Sequence, residues 1–392
     1  MRTSRRVKGL VCLAVLAALL ATAGQCAGPP LPGPSGGPAV RVAVLTPMSG
    51  ELATFGEIVR NGVLMAFDEW NERGGPHQRR LEWVLYDSAC EPETARQATA
   101  QAITDGLDLM VGPLCAETAI PAAGVAQEAG AFLISPTAGH PSVTVDPSGR
   151  SRSLVFRAAY VYGYQGEVMA RFARSSLAAE RAAIFVAAGD DYAQMVGRAF
   201  AAAFEAGGGQ ALVLPYEPGT EDVSGLLQAA LDFEAQALFL PDRYPMVNRL
   251  AGEKAALGLG DVPLLGPDSW RSSELNLAAL EGSYFILPFY RETDAPGLED
   301  WAGRYKAAYA IEPDALAMLG YEAGWLLAAA IDQAGDARPK AVADTLAGRS
   351  FTPIAHPLTF DANHNPRRAL PVVRIRDTGL AFETYVSAPI EE

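Results

Sequence analysis

Short apolar runs alternate with longer stretches of helical periodicity along most of this chain. Residues 41–45 are apolar and strand-like, and 55–70 follow with Ile58, Val59, Val63, Met65, Ala66 and Trp70 among the apolar positions of a helix. Runs 81–86, 107–111 and 131–135 read as strands, with helical stretches 93–104 and 119–129 between them. A loop-rich stretch, 136–153, precedes a second series. Its strands are expected at 182–186, 212–216, 237–240 and 263–265, and its helices at 191–206, 222–231 and 245–257. Repeated βα units of this size predict parallel sheets covered by helices on both faces. After a strand at 284–287 the pattern changes to three helices, near 298–309, 314–333 and 338–347. Strand-like runs return only at 371–375 and 382–386. The helical block has no strands of its own, so it is expected to pack back onto the first lobe.

Two cysteines refine this picture. Cys90 and Cys115 each follow a strand-like run, with a helix between them. If the two strands are neighbours in a parallel sheet, their ends lie side by side, within reach of a disulfide. That sheet edge is also where open α/β folds bind ligands. The loops on it are Thr46-Pro47-Met48-Ser49-Gly50, Leu114 to Thr118, and Ser135 to Pro141. Backbone N–H groups at such loops and helix starts suit a carboxylate. Ordinary turn chemistry accounts equally well for their Gly and Pro content.

Composition narrows the function classes. The chain has 392 residues and a formal net charge of −14, more negative still without Arg2, Arg5, Arg6 and Lys8. This argues against nucleic acid or anionic lipid as a partner. The basic start and the apolar run 10–20 read as a secretory signal. Two processing readings compete: cleavage after Ala21-Thr22-Ala23, or a lipoprotein box ending in Cys26. Gln25 departs from the small residue such a box expects, whereas the odd cysteine count favours lipidation. Residues 1–26 are thus assigned as signal and 27–39 as a Pro/Gly-rich tether. Nothing after residue 26 reads as long and apolar enough to span a membrane. The remaining length of about 350 residues exceeds one ordinary core and predicts two domains.

Catalytic motifs are wanting. Gly33-Pro34-Ser35-Gly36-Gly37 matches a nucleophile elbow but lies in the tether, with no strand before it. There is no Walker A loop, G-x-G-x-x-G after a strand, H-E-x-x-H or C-x-x-C, and His77, His140, His356 and His364 are scattered. Neither a metal nor a cofactor is expected, and no nucleophile–base pair stands out for an enzyme.

Several stretches together resemble the periplasmic leucine/isoleucine/valine-binding proteins of ABC transporters. They are TPMSGELATFGEIVRNGVLMAFDEWNERGG (46–75), YDSACEPETARQA (86–98), VGPLC (111–115), GAFLISPTAGHPSVT (130–144), DDYAQ (190–194), LLGPDSW (264–270) and LTFD (358–361). The resemblance implies an α/β fold of two doubly wound parallel-sheet lobes joined by three crossovers, the Venus flytrap of type I periplasmic-binding proteins. Lobe 1 would hold 40–157 and 290–355, and lobe 2 would hold 158–289 and 356–392. The crossovers would fall near 157–160, 287–290 and 355–358. The cysteine spacing fits the family disulfide. Ala116, Thr137 and Gly139 correspond to the loops that hold a ligand's α-carboxylate, where the family typically has hydroxyls at the first and last of these positions. Their loss is expected to enlarge the pocket, with Thr137 supplying a hydroxyl instead. Asp268 stands where a carboxylate receives the α-ammonium; its alternative role is as a cap for a helix at 272–280. Phe55, Tyr192 and Tyr244 align with residues closing over the ligand, and Leu114 with an apolar wall. Trp270 and the Tyr160-Val161-Tyr162-Gly163-Tyr164 cluster are either site or interlobe packing. The implied protein is a monomeric, periplasmic solute-binding partner of an ABC permease, with Cys26, under the lipoprotein reading, as its one contact with the membrane. The main alternative is a sensor of the same fold for an amide or an aromatic or aliphatic acid.

Overall fold

The computed structural model describes residues 37–388. The signal, Cys26 and nearly all of the tether lie outside them. The first lobe opens with β1 (Val40–Thr46), α1 (Ala53–Glu72), β2 (Leu81–Asp87), α2 (Pro92–Thr104), β3 (Leu109–Val111), α3 (Ala116–Ala129), β4 (Phe132–Ser135) and β5 (Val155–Arg157). All five strands are parallel, in the order β2-β1-β3-β4-β5. The second lobe adds α4 (Tyr162–Ser175), β6 (Arg181–Ala187), α5 (Asp191–Ala206), β7 (Gln210–Tyr216), α6 (Ser224–Asp232), β8 (Ala237–Phe239), α7 (Tyr244–Glu253), β9 (Leu264–Gly266) and β10 (Tyr284–Ile286). The chain returns to the first lobe as α8 (Leu298–Tyr309), α9 (Ala315–Ala334) and α10 (Pro339–Ala347). It ends as the short hairpin β11 (Thr359–Phe360) and β12 (Pro366–Arg367), then β13 (Leu370–Arg376) and β14 (Gly379–Val386). The last two strands join the second sheet antiparallel, in the order β14-β13-β10-β9-β8-β6-β7.

The strand order corrects one premise. β1 stands between β2 and β3, so the cysteine-bearing strands are not neighbours. Two strand spacings are about 9.5 Å, yet the Cα atoms of the bonded Cys90 and Cys115 are only 6.0 Å apart. The loops after β2 and β3 therefore converge, and the disulfide straps over the end of β1.

The helical block packs on the first sheet. α9 crosses α1 at close range. A Cβ on Gly62 would lie 2.2 Å from the Ala317 carbonyl oxygen, and one on Gly320 would lie 2.3 Å from that of Val59. Neither position tolerates a side chain. α9 is also long and apolar enough to cross a membrane by length and composition, contrary to the expectation that nothing after residue 26 is. Its apolar surface is spent inside the lobe instead: Leu326, Leu327 and Ile331 are fully buried against Val42, Phe67 and Phe132.

The third crossover comes later than expected. Leu358 and Phe360 are buried in the first-lobe core. The Phe360 ring meets Phe156 edge-on at 5.1 Å, and His364 stacks on Phe156 at 4.0 Å. Residues 356–365 therefore stay with lobe 1, where they cover the outer edge of β5. The chain leaves only between Arg367 and Leu370.

That crossing is held by buried charge. The Arg368 guanidinium makes a bidentate pair with Glu322 of α9, whose side chain is 1% exposed. Burial opposes the Arg368 charge, but Glu322 beside it outweighs this and leaves the guanidinium pKa raised. The carbonyl of the same residue accepts from the Tyr164 hydroxyl of α4 at 2.6 Å. Arg367 pairs with Glu167 of α4 and lies over the Tyr164 ring at 4.9 Å, with Asp361 at 3.6 Å behind it.

Candidate ligand-binding site

The C-terminal ends of the parallel strands of both sheets face each other across a cleft of about 610 Å³. Ala116, Glu117 and His140 line it from the first lobe, and Tyr162, Asp190, Tyr192, Met195 and Arg243 from the second. Parallel topology dictates this, because every βα loop of a lobe emerges on the same edge.

On the first lobe, α3 begins at Ala116 directly after the bridged Cys115, three residues earlier than the sequence suggests. The Cys115 carbonyl accepts from the N–H groups of Thr118 and Ala119. Those of Ala116 and Glu117 make no hydrogen bond among the described residues and point out of the helix start. Thr137 does not offer its hydroxyl proton to the cleft, because it donates to the Leu114 carbonyl at 2.6 Å. Ser135 likewise donates to Pro113 at 2.8 Å. Leu114 is half-buried and packs on the first-lobe core. Phe55, the third residue of α1, is 46% exposed.

Gly139 overturns an expectation. Its missing side chain does not enlarge the pocket, because the Tyr162 ring occupies that space. A Cβ there would lie 2.5 Å from the ring and 3.2 Å from the Tyr160 carbonyl oxygen. The Tyr162 N–H donates to the Gly139 carbonyl at 3.0 Å, pinning the two lobes together at this point. Tyr162 also stands edge-on to Tyr192 at 5.0 Å and to His140 at 6.2 Å. Burial raises its pKa, and the charge of Glu117 adds to that.

Asp268 lies just after β9, half-buried behind these rings. It caps no helix, because residues 272–280 form turns. Its carboxylate accepts from the Tyr160 hydroxyl at 2.7 Å and from Tyr192 at 3.4 Å. Its own N–H donates to Gln165 at 3.0 Å. Among the described residues it has no ion-pair partner within 4.0 Å. Burial raises its pKa above the ordinary carboxylate range, against the opposing effects of Tyr160, Arg271, Tyr192 and Gln165. Tyr192 sits in the first turn of α5, whose start is capped by Asp190 accepting from Ala193 at 3.0 Å.

Two candidates fall elsewhere. Trp270 is fully buried in the second-lobe core, with its indole N–H on the Leu240 carbonyl at 2.9 Å. Tyr244 opens α7 at the right sheet edge but does not wall the cleft. Its phenol turns to Glu274, whose hydrogen bond and charge raise its pKa. Of the expected residues, Ala116 and Tyr192 line the cleft, whereas Gly139 lies under the Tyr162 ring and Asp268 behind Tyr192; the structure adds Tyr162 to the wall and Tyr160 and Gln165 as partners of Asp268. The three tyrosines of one short cluster serve three different places: Tyr160 reaches Asp268, Tyr162 enters the cleft and Tyr164 grips the third crossover.

Two open α/β lobes with strand ends facing across a cleft define a bilobed solute-binding protein. The family model described as periplasmic binding protein matches residues 39–379, and the chain belongs to that family. The leucine-, isoleucine-, valine-, threonine- and alanine-binding protein of Pseudomonas aeruginosa is 26% identical over 326 residues, covering 82% of this chain and 86% of that one. The leucine-binding protein LivK of Thermotoga maritima superposes with a TM-score of 0.66 at 26% identity, over 89% of this chain and 99% of its own. A solute-binding protein of an ABC transporter from R. palustris, in complex with benzoate, shares the fold with a TM-score of 0.65 at 22% identity, over 90% and 98% of the chains.

Proposed function

We propose that this chain is the extracytoplasmic solute-binding component of an ABC importer and takes a branched-chain or related amino acid into the interlobe cleft by hinge closure. The observation that carries this reading is Asp268. It is a carboxylate held by two phenols, one of which lines the cleft, with no ion-pair partner among the described residues, and the unpaired N–H groups of Ala116 and Glu117 lie on the first-lobe wall of that cleft. Such a pair of poles suits a ligand bearing an ammonium and a carboxylate. The names of the relatives support the same class. Ligand binding on one lobe followed by closure leaves every bond of the solute intact, so no enzyme chemistry is assigned. The proposed partner is a permease, the protein acts as a monomer, and acylation of Cys26 is its only attachment to the membrane. The benzoate complex of a structural neighbour and the tyrosine walls favour one second reading, a binding or sensing protein for an aromatic or aliphatic acid.

Thermal unfolding against the twenty amino acids, leucinamide and benzoate tests these readings, because a specific ligand raises the midpoint by mass action. A shift with leucine, isoleucine or valine supports the first reading. A shift with benzoate alone supports the second, and no shift at all overturns both. Asp268→Asn is expected to weaken an amino-acid ligand by about 2–5 kcal/mol, since it leaves the ammonium unpaired in the closed cleft. The sign of the pH effect follows from the raised pKa. Above it Asp268 is ionised and affinity is level; as pH falls through it the carboxylate is neutralised and affinity drops. Titration calorimetry across pH checks this, and the Asn variant should lose the acid limb.

A further inference from the structure

We propose that Tyr162 is the specificity-determining residue of the cleft, its phenol hydroxyl making from the second lobe the side-chain contact to the ligand's carboxylate that the first-lobe wall does not supply. This rests on the cleft reading given above. Among the described residues of the two first-lobe loops, Ala116 and Gly139 carry no hydroxyl, and those of Thr137 and Ser135 donate to the carbonyls of Leu114 and Pro113. The Tyr162 hydroxyl is different. It lines the cleft together with Ala116 and Glu117 and makes no hydrogen bond among the described residues. Glu117 is in the first turn of α3, so the unpaired N–H groups of that helix start belong to the same cleft wall that the Tyr162 ring faces.

The ring is held in place from three directions. Its backbone N–H is bonded to the Gly139 carbonyl at 3.0 Å, its ring makes T-shaped contacts with Tyr192 and His140, and its Cδ1–Cε1 side fills the space above Gly139. Gly139 and Tyr162 therefore act as a couple: a side chain at 139 and a ring at 162 exclude each other. Tyr162 follows the first crossover and opens the first helix of the second lobe. It thus carries a second-lobe donor onto the first-lobe anion site, so that carboxylate recognition reports directly on the relation between the lobes. A ligand lacking the acid group forfeits this contact.

The test uses the mature protein with L-leucine and L-leucinamide as probes, read by titration calorimetry. Tyr162→Phe keeps the ring and removes only the hydroxyl. It is expected to weaken L-leucine about 10-fold or more, the size of one hydrogen bond to a charged group, and to leave L-leucinamide nearly unchanged. The steric couple is read without ligand. Gly139→Ser alone should lower the unfolding midpoint, and most of that loss should disappear when Gly139→Ser is combined with Tyr162→Ala. If Tyr162→Phe binds L-leucine as the unaltered protein does while Asp268→Asn is weakened, the amino-acid reading stands and the role of Tyr162 falls. If the midpoint losses of Gly139→Ser and Tyr162→Ala simply add, the couple is refuted. Failure of the unaltered protein to bind L-leucine removes the amino-acid reading and this assignment together.

Discussion

Glu322→Gln is expected to destabilise the protein by about 3–5 kcal/mol, because it strands the Arg368 guanidinium in the hinge without its counter-charge. Both partners are nearly inaccessible, at 1% and 9% side-chain exposure, so solvent does little to screen the loss. Tyr164 contacts only the Arg368 carbonyl, and among the described residues the guanidinium makes no hydrogen bond other than those to Glu322. Removing both charges at once behaves differently. Glu322→Leu combined with Arg368→Met deletes the desolvation cost along with the attraction and should recover much of the stability. Urea unfolding of the two single variants and the double variant measures this. A single variant within about 1 kcal/mol of the parent would show that water reaches the pair and that its burial is only apparent.

The second large effect is expected at the disulfide. Cys90→Ser with Cys115→Ser opens a loop of 25 residues, and loop-closure entropy puts the loss at about 3 kcal/mol. The damage should be local. Because the bridge straps over the end of β1 and ends one residue before Ala116, hydrogen exchange should quicken at 88–92 and 112–118 and stay unchanged in the second lobe. Ligand affinity should fall as well, since the α3 start loses its anchor. Unchanged protection of both segments in the Ser/Ser variant would mean that packing alone holds those loops.

Much of the fold was legible because its strands are short apolar runs punctuated by Gly, Pro and polar turns, and because each is followed by a helix. What escaped was short or conditional on other parts of the chain. β5 is three residues set among arginines and serines, and α4 opens on an aromatic cluster that hides its period. The order β2-β1-β3 cannot be read from a linear alternation, since any strand may insert beside any other. Leu358 and Phe360 look like the start of a new lobe, yet an apolar pair next to an open sheet edge buries itself where the edge is. Within the site, the family pattern marked Asp268, Tyr192, Ala116 and Gly139. It could not show that Gly139 is small because Tyr162 lies on it, nor that the Thr137 hydroxyl is committed to Leu114. Both facts are contacts across a loop or a lobe boundary. The tyrosine-rich run at the first crossover was the visible clue to the first of them.

The double grip on Arg368 has a mechanical consequence. Its carbonyl belongs to one lobe and its charged head to the other, with a flexible methylene stem between. That stem acts as a universal joint. Rotation of the lobes can be absorbed by side-chain torsions, each costing little, while the ion pair stays closed throughout the swing. Had the pair bridged the lobes rigidly, every opening would have to break it, and the molecule would be locked in one posture. Built this way, the Arg368–Glu322 pair itself favours neither posture, and the bias between postures is left to the other contacts between the lobes and to the solute.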